Sequence, residues 1–347
     1  MTETLHYKTA VLFGGAGFIG THLAASLLKS STVEEVFLAD LVSTPTNLWP
    51  KELQEFSTQG KVHFVELDVR KPIQHSDLPQ NVDLIVNLAA IHKQPGHNEQ
   101  EYFETNLAGA ENVCAWAIQV KCNKMIFTSS IATFGKATEP KTEDSLPTPN
   151  TPYGISKLVA EKIHLTWQAG NSSRRLLIVR PGVIFGHNEN GNVTRMIKAV
   201  LGRYFFYTGN KKVRKAGGYV KELCNSMMWM LRHQNIKDQP VLLYNFSMDP
   251  APTVEDYVHA INKTVNRSNF TPNVPHTLLL TASYFIEALA RVLKIKQPIS
   301  PVRMKKLVHQ NLIVPTVLKD SGYTYQYTLE SAMADWKQEW PEDWSKK

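Results

Sequence analysis

The sequence predicts an α/β protein with a doubly wound parallel sheet, followed by a smaller C-terminal domain. Two observations lead to this fold class. Short apolar runs alternate with segments of helical period through the first half of the chain, and a glycine-rich turn lies between the first run and the first helical segment. Polar or small residues stand where the apolar runs end. Ligands collect at the carboxyl ends of parallel strands, so these residues are expected to line one cleft.

The composition narrows the class of protein. The chain has 347 residues, of which 43% are hydrophobic and 20% charged, values typical of globular proteins. There is no leader-like start and no uninterrupted apolar run of about 18 residues, so neither a signal peptide nor a membrane span is expected. Three cysteines without a C-x-x-C spacing favour reduced thiols in a cytoplasmic protein, and no Cys/His spacing indicates a metal site.

The net charge of +7 is partly concentrated in residues 209–218. A charge run of this kind is either a solvated loop or a funnel for an anionic ligand such as a pyrophosphate. Because the charge is not spread over a face, and no nucleic-acid-binding motif is present, a nucleic-acid partner is not expected.

The first element is a strand over residues 8–13, and the turn Gly-Gly-Ala-Gly-Phe-Ile-Gly at 14–20 follows it directly. A helical pattern begins at once afterwards. Strand, glycine turn and helix in this order are typical of a Rossmann-type dinucleotide site, in which the main chain approaches the pyrophosphate at the helix N-terminus. The residues expected to contact the cofactor here are Gly14, Gly17, Phe18, Ile19 and Gly20.

The second apolar run, residues 35–40, ends in Asp40. An acid about 20 positions after the glycine turn is placed to bind the adenosine ribose hydroxyls. A carboxylate repels a 2′-phosphate, so the sequence favours NAD over NADP as the cofactor.

Three further strands are predicted at 61–69, 82–90 and 124–130, with a helix over 104–120. The third strand ends beside the expected adenine site, and the small residues at the end of the fourth let the chain pass beneath the cofactor. The residues expected on the cofactor side are Asp68, Val69, Ala89, Ala90 and, near the helix start, Asn106. The fifth strand ends in two serines, which supply hydroxyl groups at the same edge.

The segment Thr-Pro-Tyr-Gly-Ile-Ser-Lys at 151–157 begins another helix, with Thr151 as the N-cap and a proline in its first turn. Tyr153 and Lys157 are four positions apart and therefore share a helix face. Tyrosine has a pKa near 10, and a nearby ammonium is expected to lower it. With a hydroxyl from the fifth strand, the pair forms an acid–base unit for oxidising a carbinol.

Together these residues are similar to the extended short-chain dehydrogenase/reductase family, and within it to the NAD-dependent sugar epimerase/dehydratase group. The resemblance is strong over about residues 8–186 and weaker to the C-terminus. The motifs that carry it are GGAGFIG, LDV, NLAA, TNLAGAENV, FTSSIATFG, YGISK and RPGVIFG.

The resemblance implies a role for each matching residue. Tyr153 is the general base and acid, and Lys157 holds the nicotinamide ribose. The hydroxyl four positions before the aromatic of Phe134-Gly135 is the catalytic one, which selects Ser130 over Ser129. Members are often dimers through two helices, so residues 104–120 and 153–169 are the candidates for a homodimer interface.

Two departures from the family pattern bear on the reaction. Dehydratases and decarboxylases of the family carry acids just after the catalytic hydroxyl, where this chain has Ile131 and Ala132, which cannot transfer protons. Redox chemistry at one carbinol remains, as epimerisation through a keto intermediate or as net reduction. The segment 215–223 keeps only the aromatic-Val pair of the family's substrate motif, which leaves the substrate's identity open.

The leading hypothesis is a NAD-dependent epimerase of a nucleotide-activated sugar, acting at C4. The alternatives are a one-way reductase or dehydrogenase of a nucleotide keto-sugar, an enzyme of a sterol-like carbinol, and a non-catalytic NAD-sensing scaffold. The candidate substrate residues are His92, Arg180, Arg214 and Arg303. The NAD-binding domain is expected to span 1–180, with 219–248 returning to it, and the substrate domain 181–218 and 249–347.

Overall fold

The protein's computed structural model describes residues 5–74, 76–92, 96–189, 191–268, 271–275, 277–278, 281 and 310–345. Its strands are β1 (Tyr7–Phe13), β2 (Val33–Asp40), β3 (Val62–Glu66), β4 (Leu84–Asn87), β5 (Lys124–Thr128), β6 (Arg175–Pro181), β7 (Val183–Phe185), β8 (Tyr207–Thr208), β9 (Gly217–Tyr219), β10 (Val241–Phe246) and β11 (Asn273–Val274). Its helices are α1 (Phe18–Lys29), α2 (Lys51–Thr58), α3 (Glu99–Gln119), α4 (Pro152–Ala169), α5 (Asn192–Leu201), α6 (Val220–Lys237), α7 (Val254–Thr264), α8 (Thr316–Asp320) and α9 (Leu329–Glu339).

Seven parallel strands form the central sheet in the order β10-β6-β5-β4-β1-β2-β3. The order reverses between β1 and β4, which is the switch point where open α/β sheets bind ligands. The predicted fold class, a Rossmann-type doubly wound parallel sheet, is confirmed.

Helices cover both faces of the sheet because its strands are apolar on both sides. Along β1, Ala10 and Leu12 pack into a core that contains the buried faces of α1 and α6, whereas Val11 and Phe13 pack into a second core with α3 and α4. This alternation follows from the two-residue period of a strand. The sheet therefore separates two cores and fixes α4 against the carboxyl ends of β4, β5 and β6.

Three predicted strands are shorter in the structure. β3 ends at Glu66 rather than 69, because a turn closed by a hydrogen bond from the Lys71 amide to the Asp68 carbonyl follows it. β4 covers Leu84–Asn87 rather than 82–90, and β5 ends at Thr128. In each case the residues beyond the strand form the connections at the carboxyl edge, where the cleft lies.

After β6 the chain leaves the sheet and returns to it through α6 and β10, which pairs in parallel with β6 from Val241↔Leu176 to Phe246↔Pro181. Short bridges join the rest of the second half to the cleft: Lys141 pairs with Ile313, Lys215 with Asn311 and Arg214 with Thr253. The apolar segment 277–293 lies almost wholly outside the described residues. Within the described part of the chain, none of the helices has the length and apolar character needed to span a membrane.

Candidate functional site

The glycine turn between β1 and α1 contains two glycines that the fold itself requires. Gly14 has φ +72°, and a Cβ on it would lie 2.7 Å from the amide nitrogen of Ala89. A Cβ on Gly20 would lie 2.5 Å from the carbonyl oxygen of Gly15, where α1 packs against the turn. These two positions hold the turn close to β4 and close to its own helix.

Gly17 differs from these two because almost nothing occupies the space of its missing side chain. A Cβ there would meet only the carbonyl oxygen of Gly14, at 3.2 Å. Gly17 is also the N-cap of α1, and no side chain caps the helix. The first amide groups of α1, including those of Phe18 and Ile19, therefore face a cradle that a phosphate group fits.

Asp40 lies beside this cradle at the end of β2. The Gly14 amide donates to the Ala39 carbonyl at 2.8 Å, which ties the turn to β2. The Asp40 carboxylate accepts hydrogen bonds from the amides of Leu41, Ala16 and Gly17, while burial raises its pKa. The predicted acid at the end of the second strand thus contacts the glycine turn.

Asp68 and Val69 follow β3, next to Asp40: the Leu67 amide donates to the Asp40 carbonyl at 2.9 Å. The Asp68 carboxylate accepts from Nε and Nη2 of Arg70, which holds its pKa below the usual range. Val69 is buried, and a Cβ on Gly109 of α3 would lie 3.0 Å from its Cγ2 atom. The predicted adenine site is therefore lined by the apolar side chain of Val69 and by the Asp68 carboxylate, which is hydrogen-bonded to Arg70.

Asn106 fixes the segment after β4 that would form the floor of a nicotinamide site. Its Oδ1 accepts from the Ile91 amide at 2.9 Å, and its Nδ2 donates to the Ile91 carbonyl at 3.2 Å and to Ser156 Oγ at 2.9 Å. The Ala89 amide donates to Asn87 Oδ1 at 3.2 Å. Ala89 and Ala90 are thus held between α4 and the glycine turn.

The start of α4 brings the three candidate catalytic residues together. Thr151 caps the helix by accepting from the Gly154 amide at 3.1 Å. A Cβ on Gly154 would lie 2.4 Å from the Ala132 carbonyl oxygen, so α4 begins directly against the helical turn that follows Ser130. As a result, Ser130 forms a hydrogen bond with the Tyr153 hydroxyl.

Lys157 lies one turn along α4, with only 2% of its surface exposed. Its ammonium nitrogen is 4.5 Å from the ring centroid of Phe127 on β5. Burial lowers the pKa of Lys157 to about 7, and the negative charge of Glu161 opposes that change. The side chain is thus a desolvated amine whose charge depends on its surroundings.

Tyr153 differs from expectation in one respect. Burial raises its pKa above the usual value, and the hydrogen bond from Ser130 only partly opposes this effect. The prediction that Lys157 lowers the pKa of Tyr153 is therefore wrong for this structure. The reason is that Lys157, with a pKa of about 7, is already neutral where a tyrosine titrates.

Arg180 has a partner that the sequence did not predict. Its Nε and Nη2 atoms donate to the two carboxylate oxygens of Glu161 at 2.8 and 2.7 Å, and both residues are buried. Ser129 Oγ also donates to Glu161, at 2.5 Å. The structure thus corrects the assignment of Arg180 to substrate binding, because its guanidinium is used inside the fold, and it gives a reason for Ser130 over Ser129.

Glu161 is the residue of this site that sequence reasoning missed. A signal was present, since Tyr153, Lys157 and Glu161 recur at intervals of four along one helix face.

The remaining substrate candidates are dispersed. His92 is exposed and follows the floor segment after β4. Arg214 is half-buried, and its Nη1 donates to the Ala251 carbonyl at 2.6 Å. Arg303 lies outside the described residues. Within the basic loop, Lys211 and Lys212 both pair with Glu255, at 2.5 and 3.4 Å.

A family model described as "NAD dependent epimerase/dehydratase family" matches residues 10–245 of the chain. The chain belongs to this family. The predicted family, the enzyme class and NAD as the cofactor are confirmed.

Relatives of this epimerase/dehydratase-family enzyme include an N-acetyl-alpha-D-glucosaminyl-diphospho-ditrans,octacis-undecaprenol 4-epimerase of Escherichia coli O157:H7, 26% identical over 93% of this chain and 92% of the relative. The UDP-glucose 4-epimerase of Vibrio cholerae is 30% identical over 56% of this chain and 57% of its own length. Among solved structures, the UDP-glucuronic acid 4-epimerase of Bacillus cereus in complex with NAD matches with a TM-score of 0.74 and 19% identity, over 97% of this chain and 100% of that one.

Proposed function

We propose that the protein is a NAD-dependent C4 epimerase of a nucleotide-activated sugar that acts through a 4-keto intermediate. The observation that carries the proposal is the cluster of Ser130, Tyr153 and Lys157 at the start of α4. The residues after Ser130, Ile131 and Ala132, supply no acid or base. The site thus has one proton-transfer group for one carbinol, which suits epimerisation and not dehydration.

In the proposed mechanism, Tyr153 acts in its phenolate form, takes the proton of the sugar hydroxyl and later returns a proton to the same oxygen. Ser130 donates a hydrogen bond to that oxygen, and Lys157, as an ammonium, would hold the nicotinamide ribose. NAD, which the glycine turn and Asp40 would hold, would supply a reversible hydride acceptor for the carbon that bears this hydroxyl. Inversion requires that the keto sugar turn over between the two transfers, so that the hydride returns to the opposite face.

Positively charged residues in the second half of the chain favour a substrate that carries negative charge. Arg214 and Lys215 lie between the 251–253 and 311–313 segments, and Ala216 packs with Phe134 and Ile313 in a small core beside the Ser130 turn. Burial lowers the pKa of Lys215. A diphosphate placed over this segment would meet two cations while its sugar reached Tyr153.

A second candidate substrate is a sugar on a polyprenyl diphosphate. The observation that favours it is coverage: the Escherichia coli relative named for such a substrate matches over 92% of its length, whereas the match to the Vibrio cholerae UDP-glucose 4-epimerase covers 57% of that relative. Both candidates carry the sugar on a diphosphate ester. They differ in what lies beyond the second phosphate, which a substrate panel can separate.

The experiment that tests the proposal compares Tyr153→Phe with Tyr244→Phe. Both changes remove one phenolic hydroxyl, but Tyr244 lies in the core of the sheet, hydrogen-bonded to Ser226 at 3.1 Å. We expect Tyr153→Phe to lose nearly all turnover of the accepted sugar while still binding NAD, and Tyr244→Phe to keep turnover. Near-full activity of Tyr153→Phe would rule out this mechanism.

The nucleotide released on denaturing the purified enzyme separates an epimerase from a one-way reductase. Near-stoichiometric NAD means that the cofactor stays bound and is regenerated, which is the expected result. Empty protein that binds NAD reversibly would instead favour a net reductase or dehydrogenase.

A further inference from the structure

The buried face of α4 continues past the catalytic residues to Glu161, one turn beyond Lys157. Residues four apart on a helix have Cβ atoms about 5–6 Å from each other. Glu161 is 1% exposed and Lys157 2% exposed, so water screens the attraction between them very little. A carboxylate at this position acts directly on the charge of the catalytic lysine.

Three donors hold the Glu161 carboxylate. Arg180 supplies two hydrogen bonds, at 2.8 and 2.7 Å, and Ser129 supplies one at 2.5 Å. A bidentate arginine and a hydroxyl favour the ionised carboxylate. The guanidinium carbon of Arg180 also lies 4.9 Å from the ring centroid of Phe134, so the pair is fixed against the turn that follows Ser130.

Arg180 acts on Lys157 through Glu161. Its two hydrogen bonds keep the buried Glu161 carboxylate ionised, and an ionised carboxylate favours the charged form of the lysine.

We propose that Glu161 and Arg180 form a positioning pair of the catalytic centre, in which Glu161 keeps Lys157 charged at neutral pH and Arg180 keeps Glu161 ionised. This inference rests on the proposed function, in which Lys157 acts as a cation. Removal of either partner should leave Lys157 neutral at a lower pH.

The other titratable groups around Lys157 do not reverse this effect. His164, further along α4, has Nδ1 2.7 Å from the Ala160 carbonyl and Nε2 3.1 Å from Asn87 Nδ2, and burial lowers its pKa to about 4. It is therefore neutral across the range in question. Tyr153 and its neighbour Tyr102, whose ring centroid is 6.3 Å away, both have raised pKa values and stay uncharged there.

The test follows the titration of Lys157 in the full-length protein, freed of nucleotide and labelled with ¹³C at the lysine Cε. One lysine signal should titrate near pH 7 and be missing in Lys157→Met. In Glu161→Gln the midpoint should fall by about one pH unit or more, and in Arg180→Gln it should also fall, because burial then favours the neutral form of Glu161. Glu222→Gln is the matched control, since Glu222 is also buried but lies on α6, bonded to the Tyr323–Tyr327 segment.

Downward shifts in both variants, with none in the control, support the pair's role. An unchanged or raised midpoint in either variant would overturn it, because a purely structural pair has no reason to change the charge of Lys157. If a single variant does not fold, the double variant Glu161→Gln/Arg180→Leu should also shift the midpoint downward. The titration needs no substrate, so its failure is distinguishable from failure of the proposed function, which the Tyr153→Phe assay decides.

Discussion

Gly17→Ala should weaken NAD binding without weakening the fold. The backbone of Gly17 has φ −74°, which alanine adopts readily, and its new Cβ would meet only one carbonyl oxygen at 3.2 Å. The methyl group would instead stand in the phosphate cradle at the start of α1. Loss of one hydrogen bond to a charged phosphate costs about 1.5–3 kcal/mol, so the Kd for NAD should rise ~10- to 150-fold.

Gly20→Ala, three residues along the same turn, is the matched control. Its Cβ would lie 2.5 Å from the Gly15 carbonyl oxygen and 2.7 Å from the carbonyl carbon, so the backbone of α1 has to move. Such overpacking costs about 1–3 kcal/mol of the free energy of unfolding. Calorimetric titration with NAD and urea denaturation of nucleotide-free protein measure the two effects. Wild-type affinity in Gly17→Ala, or a loss of stability as large as that of Gly20→Ala, would refute this reasoning.

Three more predictions concern single side chains. Asp40→Asn should raise the affinity for NADP relative to NAD at least ~10-fold, because the carboxylate charge that repels the 2′-phosphate is removed. Fluorescence titration with the reduced cofactors measures both affinities. The same ratio of affinities in the wild type and the variant would contradict this prediction. Lys157→Met should abolish turnover yet raise the free energy of unfolding at pH 7 by about 1–4 kcal/mol. Since the folded pKa of Lys157, about 7, lies below its usual 10.5, the unfolded chain binds the proton more tightly between these values. The free energy of unfolding of the wild type therefore rises with pH across this window, and the stabilisation in Lys157→Met should become smaller toward pH 10. Urea denaturation at pH 7 and pH 10 measures it. The same stabilisation at both pH values would contradict a buried ammonium. Glu222→Ala should lower the free energy of unfolding by about 3 kcal/mol or more, because the amides of Gln326 and Tyr327 lose their buried acceptor; a change below 1 kcal/mol in urea denaturation would show that water replaces it.

The parts of the fold that the sequence predicts well are local. The β1 strand, the glycine turn and Asp40 lie within one βαβ unit, and each follows from apolar period and from the angles that glycine allows. The start of α3 was misplaced at 104, because the apolar pattern begins there. The helix starts at Glu99, because Asn98 and Glu101 form a capping box. The sequence Asn-Glu-Gln-Glu at 98–101 matches that motif.

The contacts that the sequence did not predict are long-range. Glu161 meets Ser129 across 32 positions and Arg180 across 19, and no local pattern specifies either contact. The pKa of Tyr153 was predicted in the wrong direction for a related reason. The burial of Tyr153 depends on how α4 packs against β5 and β6. Its desolvation raises the pKa and outweighs the effect of the nearby lysine charge that the helix spacing indicates.

The central claim is that the enzyme inverts a sugar carbinol at C4 with a cofactor it does not consume. The most direct measurement is the ¹H NMR spectrum of sugar diphosphates, as nucleotide esters and as polyprenyl esters, incubated with the purified enzyme without added cofactor. We expect a new C4 stereoisomer of one of them at equilibrium, no accumulation of absorbance from reduced nicotinamide, and no conversion by Tyr153→Phe. A keto sugar formed in step with NADH, or no conversion of any sugar diphosphate, would contradict it.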